Sequence, residues 1–525
     1  MIRALGALLA LALMPPAPPG VTLRGQVVDA DTGKPLPCRL TIRGGDGAFY
    51  VASSAAREGS AIEYFKQVAS HKASVEHHVT LSAHPFQAEL PAGSYSVTVQ
   101  HGKEYYPESR RVSIEDAGVE IVFKLRRWID MASRGWYSGE THVHRMPDQL
   151  PNVMMAEDLN VALPLTSWVT ESHTSPVGAN KAGASVMNDA RVVEVDPTHV
   201  FYPRNTEYEI FRVGRKNHTL GALFILNHKT LFEEGVPPVG PVAARARKEG
   251  ALLELDKHAW PWSMMLAAVF KVDLYELANN HLWETEFAYR GFGVPPPDYM
   301  GVEKDAEGMT ERGWLDYGFQ NYYALLNCGL RMRPTAGCAS GVHPVPLGFG
   351  RVYVHLDGPF GYDAWMKGLN EGRSFVTTGP MLMASLARDY SMDIVTESAH
   401  PISGIDVVVN GLATPVAPDL IANEKSPGNA FRSQIRVAPV IVTSSWIAVR
   451  CFERRPDGRL AWAHSAPAYV DIPGKPLRPG RLEVEFLLRR AEDELARNRE
   501  ILAPEALAEY NQAVDFYRSK LEGSR

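Results

Sequence analysis

The chain has 525 residues, of which 45% are hydrophobic and 22% charged, and its formal net charge is -6. Such a composition belongs to an ordinary globular protein of several domains, and it lacks the basic excess that nucleic acid or an anionic membrane surface demands of a partner. Cys38, Cys328, Cys338 and Cys451 are scattered with no CxxC pair. Either Cys328 pairs with Cys338, or all four stand as buried thiols.

Residues 1–20 differ from the rest. Met1 to Arg3 gives a positive start, Ala4 to Met14 is apolar, and Pro15 to Gly20 follows. That run is too short to span a bilayer and reads as a signal peptide, so the expected destination is the periplasm, the cell surface or the medium. No later stretch is long and apolar enough for a transmembrane segment in the mature chain.

Residues 21–126 read as β structure. Thr22 to Val28 alternates, Asp29 to Pro35 makes a turn, and Cys38 to Arg43 alternates again; Tyr95 to Val99 and Val119 to Leu125 follow the same rule. Short strands between Gly, Pro and Asp turns predict a small sandwich. The segment resembles carboxypeptidase-regulatory-like modules. An insertion from Val51 to His84, carrying His71, His77, His78 and His84, is expected to be a solvated loop.

Residues 127–388 change pattern. Apolar strands at Asn160 to Leu165, Leu220 to Leu226, Ala251 to Leu255 and Val272 to Leu277 alternate with helical stretches, one of which, Pro241 to Glu249, stops at Gly250. Repeated βα units predict a parallel sheet or barrel, whose functional groups gather at the C-terminal strand ends. Residues 389–475 return to strands, including Ile405 to Gly411, Gln434 to Val437 and Ser445 to Arg450, and predict a smaller β domain. In residues 476–525 the apolar spacing predicts a helical hairpin broken at Pro504.

The chemistry concentrates in the middle segment. His142 and His144, at the end of Gly135-Trp-Tyr-Ser-Gly-Glu-Thr-His-Val-His, share one side of a strand, so both imidazoles can reach one metal ion. Glu140 on the same face is a candidate to orient one of them. Glu209, with Glu207 as its rival two residues earlier, His258 and His343 complete the candidate ligands; all fall at or near predicted strand ends. His173 and His228 are candidate proton carriers. His218, Glu157 and Asp158 are further candidate ligands. Arg351 and Arg373 are either anchors for an anionic substrate or plain salt-bridge partners.

Gly135 to His144, Ala156 to Ala162, Glu371 to Pro380, Ser444 to Arg450 and Ala463 to Val470 occur in an order that resembles the carbaryl-hydrolase branch of the PHP (polymerase and histidinol phosphatase) metallohydrolases. The resemblance spans about Arg127 to Pro473. It implies an α/β fold, a distorted (β/α)7 barrel flanked by the two β domains, with a divalent metal (zinc, manganese or iron, one or two ions) at the barrel mouth. It further implies hydrolysis of an ester, amide or phosphoester by metal-activated water, and it places His142, His144, Glu209, His258 and His343 on the family's ligand positions. Three features depart from the family pattern: Thr166-Ser167-Trp168 stands for Thr-Asp-His, Gly341-Val342-His343 stands for Asp-x-His, and no histidine follows shortly after His144. The alternative is a catalytically impaired barrel that binds a glycan or surface partner through Trp168, Trp260, Trp262 and Trp283.

Overall fold

The computed structural model describes residues 20–178 and 190–525; the signal-like residues 1–19 lie outside them. Among the described residues no helix is long and apolar enough to cross a membrane.

The alternating segments after Val21 fold into two facing sheets around one core that includes Leu23, Leu40, Val97 and Phe123. The insertion expected as a solvated loop is instead a hairpin, Ala61–Val68 paired antiparallel with His71–Leu81. Its many charged and histidine positions hide the strand signal, because alternate residues face another domain and not an apolar core. Ser74 Oγ donates to Glu286 Oε1 at 2.6 Å, Arg145 donates to Glu76 at 3.0 Å, and Asn152 donates to the Thr80 carbonyl at 2.9 Å. The four histidines there each have a nearby polar partner: Ser70 for His71, Glu63 for His77, Glu76 for His78 and Ser82 for His84.

The middle of the chain is mixed α/β. A six-stranded sheet runs in the order Ser167–Glu171, Thr206–Val213, Lys216–Leu226, Leu252–Leu255, Leu274–Ala278 and Arg333–Ala336. All neighbours are parallel except Lys216–Leu226, which is antiparallel to both strands beside it. The His142 strand, Trp136–Val143, belongs to a second, larger sheet, where it lies between Val161–Pro164 and Arg351–His355. The two sheets meet where Val143 bridges Ser340. Helix Gly240–Glu249 ends at Gly250 with φ of 76°, the left-handed cap its sequence predicts.

The C-terminal β region shares its main sheet with this middle segment. Leu460–Ser465, Ser445–Arg454 and Ile402–Val409 continue outward from Ser374–Thr377, while Met381–Leu386, Met392–Ser398 and Phe431–Val437 form a separate sheet. All four cysteines are free and buried, so Cys328 and Cys338 do not pair.

Helices Arg481–Asn498 and Pro504–Glu522 close the chain, with Pro504 at the start of the second. The first docks through buried Arg490, which donates to the carbonyls of His258 at 2.8 Å and Trp260 at 3.2 Å and to Asn321 Oδ1 at 3.1 Å. Replacing Arg490 by Met leaves these acceptors without a donor in the interior. Equilibrium urea unfolding of Arg490→Met is expected to show a loss of about 2–4 kcal/mol.

Candidate metal centre

The site is assembled from strand ends. A register shift between Glu140 and Val143 breaks strict alternation, so that the consecutive residues Thr141 and His142 both reach inner carboxyls. Thr141 Oγ1 donates to Glu254 Oε1 at 2.8 Å, and His142 Nδ1 lies 2.9 Å from Glu276 Oε2. With Nδ1–H given to Glu276, the Nε2 lone pair of His142 points into the site. There it meets His144 Nε2 at 3.2 Å, which in turn lies 3.2 Å from Glu207 Oε2. Two ligand groups result, both containing His142: one with His144 and Glu207, the other with Asp256 and Glu276.

The first group suits a cation. Ligand nitrogens about 2.0–2.1 Å from a tetrahedral zinc stand about 3.3 Å apart, close to the observed separation of the two imidazole nitrogens. Several buried polar atoms around it have no hydrogen-bond partner: Glu207 Oε2, Asp256 Oδ1, His281 Nδ1, His343 Nδ1 and both nitrogens of His258. Orphans of this kind are costly unless something else satisfies them.

The electrostatics agree. Glu207, Glu254, Asp256 and Glu276 are each no more than 1% exposed. Burial, joined by the charge of Asp256, raises Glu207 and Glu276 far above the usual carboxyl range. Burial, and then Glu207, lifts Glu209 to about 8, and burial lifts Glu254 to about 8. Burial, then His144 and Lys257, pushes His142 well below its ordinary value, and burial takes His144 to about 4. Lys257, 1% exposed, sits 2.5 Å from Asp256. Burial opposes its charge, but Asp256, Glu276 and Glu209 together outweigh that and hold the ammonium.

The other expected residues are distributed as follows. Glu207, and not Glu209, joins His142 and His144; Glu209 accepts from Trp168 Nε1 at 3.1 Å, and the indole packs 4.5 Å from the His144 ring. Trp168 thus anchors a carboxylate from the position where the family pattern has a histidine. His258 is enclosed by Trp314 and Tyr317, and burial with nearby Arg490 takes it to about 3. His343 packs on Trp283, and burial with Lys257 takes it also to about 3. Both rings lie outside the two groups. His281, which the sequence reading passed over, belongs beside them: it follows Leu274–Ala278, stacks on Tyr289 at 3.8 Å and shares the field of Lys257, His343 and His258. Its signal was the one used for His258, a histidine just past an apolar strand. Asp256 and Lys257 were passed over too, although they stand directly before His258.

His173 is exposed, its backbone N–H donates to the Val236 carbonyl, and it belongs to neither ligand group. His228 follows the antiparallel strand, whose end lies beside Thr206 at the opposite side of the sheet from the His258 strand end. Its two nitrogens are taken by Thr206 Oγ1 and the Thr230 carbonyl. Neither residue faces the site. His218 is bonded to Asn498 at 2.7 Å, and Asp158 to Arg127 at 2.9 Å; Glu157 pairs with Arg39 at 3.4 Å. Glu140 orients no histidine: it accepts from the Cys338 N–H, the Cys338 thiol and the Gly348 N–H, and so fixes the loop after Arg333–Ala336. Arg351 binds the carbonyls of Gly348, Asp158 and Glu157, and Arg373 pairs with Asp357, so both are structural. Trp262 and Trp283 are 1% and 0% exposed and present no face to a glycan.

Gly341 explains the missing aspartate. Its φ is +108°, and a Cβ there would lie 2.5 Å from the His144 carbonyl. Only glycine lets this loop approach the second histidine so closely.

The site and its surroundings define a mixed α/β protein with a buried histidine–carboxylate cluster whose spacing suits a cation. No protein-family model matches the chain, and no curated protein matches it in sequence. Among solved structures, a two-domain protein from Bacteroides vulgatus containing a predicted PHP-like metal-dependent phosphoesterase is similar at 10% identity and a TM-score of 0.31, over 64% of this chain and 95% of that one. That likeness is too distant to define fold or activity here.

A pH dependence follows from the raised carboxyls. Their protons leave near 4.5 in the unfolded chain but are retained to about 8 in folded Glu209 and Glu254. Below about 6.5 the depressed histidines, His142 and His144 among them, act the opposite way, because they bind protons in the unfolded chain and not in the folded one. Above it the carboxyls alone count, the folded state binds more protons, and metal-free protein is expected to lose stability as pH rises from about 6.5 to 8. Denaturant titrations across that range, with and without zinc, check this; the ion should flatten the decline.

Proposed function

We propose that the chain is a metal-dependent hydrolase of the PHP type, acting on an ester, amide or phosphoester. The single observation that carries this reading is the convergence of His142 Nε2, His144 Nε2 and Glu207 on one point, with Glu276 behind His142. The sequence resemblance to the carbaryl-hydrolase branch supports the same class; the signal-like residues 1–20 support export, and residues 21–126 support a carboxypeptidase-regulatory-like domain.

A divalent ion held there supplies Lewis acidity toward a carbonyl or phosphoryl oxygen and makes a water acidic enough to react near neutral pH. The chain's own residues do the remaining work. Glu276 fixes the tautomer and angle of His142. Glu209, pinned by Trp168 beside His144, is placed to hold a proton at its carboxyl. A cavity of about 150 Å³ opens on His144 and is lined by Met146, Leu165, Thr166, Trp168 and Gly341, room for a small acyl, carbamoyl or phosphoryl group. Lys257 lies against Asp256 in the second ligand group and supplies a fixed positive charge where another ion would bind, so the centre takes one metal.

Zinc- or manganese-loaded protein is expected to cleave chromogenic carboxyl or phosphate esters. His144→Ala and Glu207→Ala should lose bound metal by elemental analysis together with turnover. Glu276→Gln should weaken metal binding by about 10–100-fold. Metal content that is unchanged in the first two variants would overturn the assignment.

Lys257→Met tests the count of ions. Elemental analysis should show metal content rising from about one toward about two per chain, as in two-metal sites. If content stays the same in a folded variant, the lysine does not stand in for a cation.

A further inference from the structure

The hairpin of the N-terminal domain lies over the loop that carries His343. Tyr64 packs its ring 3.1 Å from the Arg145 guanidinium, directly after His144. Val68 joins the cluster of Trp283, Cys338 and Val345, and His71 stands edge-on to Trp283, which itself contacts His343. Alternation then fixes the residue between them. With Tyr64 and Val68 facing inward and Phe65 outward at 56% exposure, Lys66 lies on the face turned toward Arg145 and Trp283, beside the loops that carry His144 and His343.

Lys66 has an unmet charge. Its cross-strand neighbour is Glu76, whose Oε1 is taken by Arg145 at 3.0 Å and His78 at 2.9 Å; the buried Oε2 makes no hydrogen bond, to Lys66 or to any other described group. Among the described residues the Lys66 ammonium makes no ion pair or hydrogen bond, and it is half-buried. Its charge is near enough to act on both His144 and His343. The hairpin is also firmly docked, through Ser74 on Thr285 and Glu286 and through Arg145 on Glu76. A cation held half out of water and engaged in no ion pair is suited to an anion from solution.

We propose that Lys66 is a specificity-determining residue: the N-terminal hairpin supplies its ammonium to the mouth of the metal centre to bind the anionic oxygens of a phosphoryl- or carboxylate-bearing substrate. This rests on the hydrolase reading for its catalytic consequence, but binding alone tests it. The hairpin is then part of the site, and the sandwich that bears it is more than a spacer.

Two measurements separate the claims. Isothermal titration of zinc-loaded protein with orthophosphate should show binding that weakens at least about tenfold in Lys66→Met and is largely kept in Lys66→Arg. The ratio of kcat/KM for p-nitrophenyl phosphate over p-nitrophenyl acetate should fall by a similar factor in Lys66→Met. Wild-type protein that binds no orthophosphate, or a Lys66→Met variant that binds it as tightly as wild type, overturns the proposal. Absence of turnover on every ester sinks the hydrolase reading instead, and the phosphate titration then still decides the role of Lys66.

Discussion

Four carboxyls, Glu207, Glu254, Asp256 and Glu276, are buried together with a single ammonium, that of Lys257. Carboxylates withdrawn from water repel one another and must be neutralised by protons, by hydrogen bonds or by a cation. Thr141 and Thr335 donate to Glu254, and Lys257 neutralises Asp256. Glu207 retains an oxygen without a hydrogen bond, facing two imidazole nitrogens. Most of the geometry around the site serves to hold these groups close despite their repulsion.

The loops that carry them are braced from separate parts of the chain. Glu140 ties the turn after Arg333–Ala336 to its own strand by accepting from Cys338 and Gly348. Gly337 lets that turn pass His142, where a Cβ would lie 2.2 Å from the histidine's own. The N-terminal hairpin presses on the same turn from outside through Tyr64 and Val68. Precision at the centre is thus bought by contacts reaching far outside the strands that bear the ligands.

Much of this was legible in the sequence, for physical reasons that differ by residue. The two-residue spacing of His142 and His144 survives as a shared direction even though the strand is irregular between them. Gly250 and Pro504 mark helix ends because backbone conformation demands those residue types. The hairpin at Ala61–Leu81 was missed because its buried face meets polar groups of another domain, which leaves no apolar alternation to read. Glu207 and Glu209 share a strand face, so only the position of Trp168 distinguishes the one beside the histidines from the one held by the indole. His228 misled because its strand runs opposite to its neighbours, and a histidine past its end therefore falls on the far side of the sheet. Asp256 and Lys257, adjacent in sequence, form no metal-ligand pattern by themselves and were passed over beside His258.

Arg490 gives the order of assembly a direction. The backbone just after the Leu252–Leu255 strand, bearing His258 and Trp260, is gripped by a guanidinium more than two hundred positions later in the chain. During synthesis the N-terminal sandwich and both sheets can begin to fold before the helix that carries Arg490 has been made. The turn beside the candidate metal centre acquires its final support only once the Arg481–Asn498 helix has been made and docked. A truncated product therefore carries every ligand of the centre yet lacks the clamp that sets one wall of it.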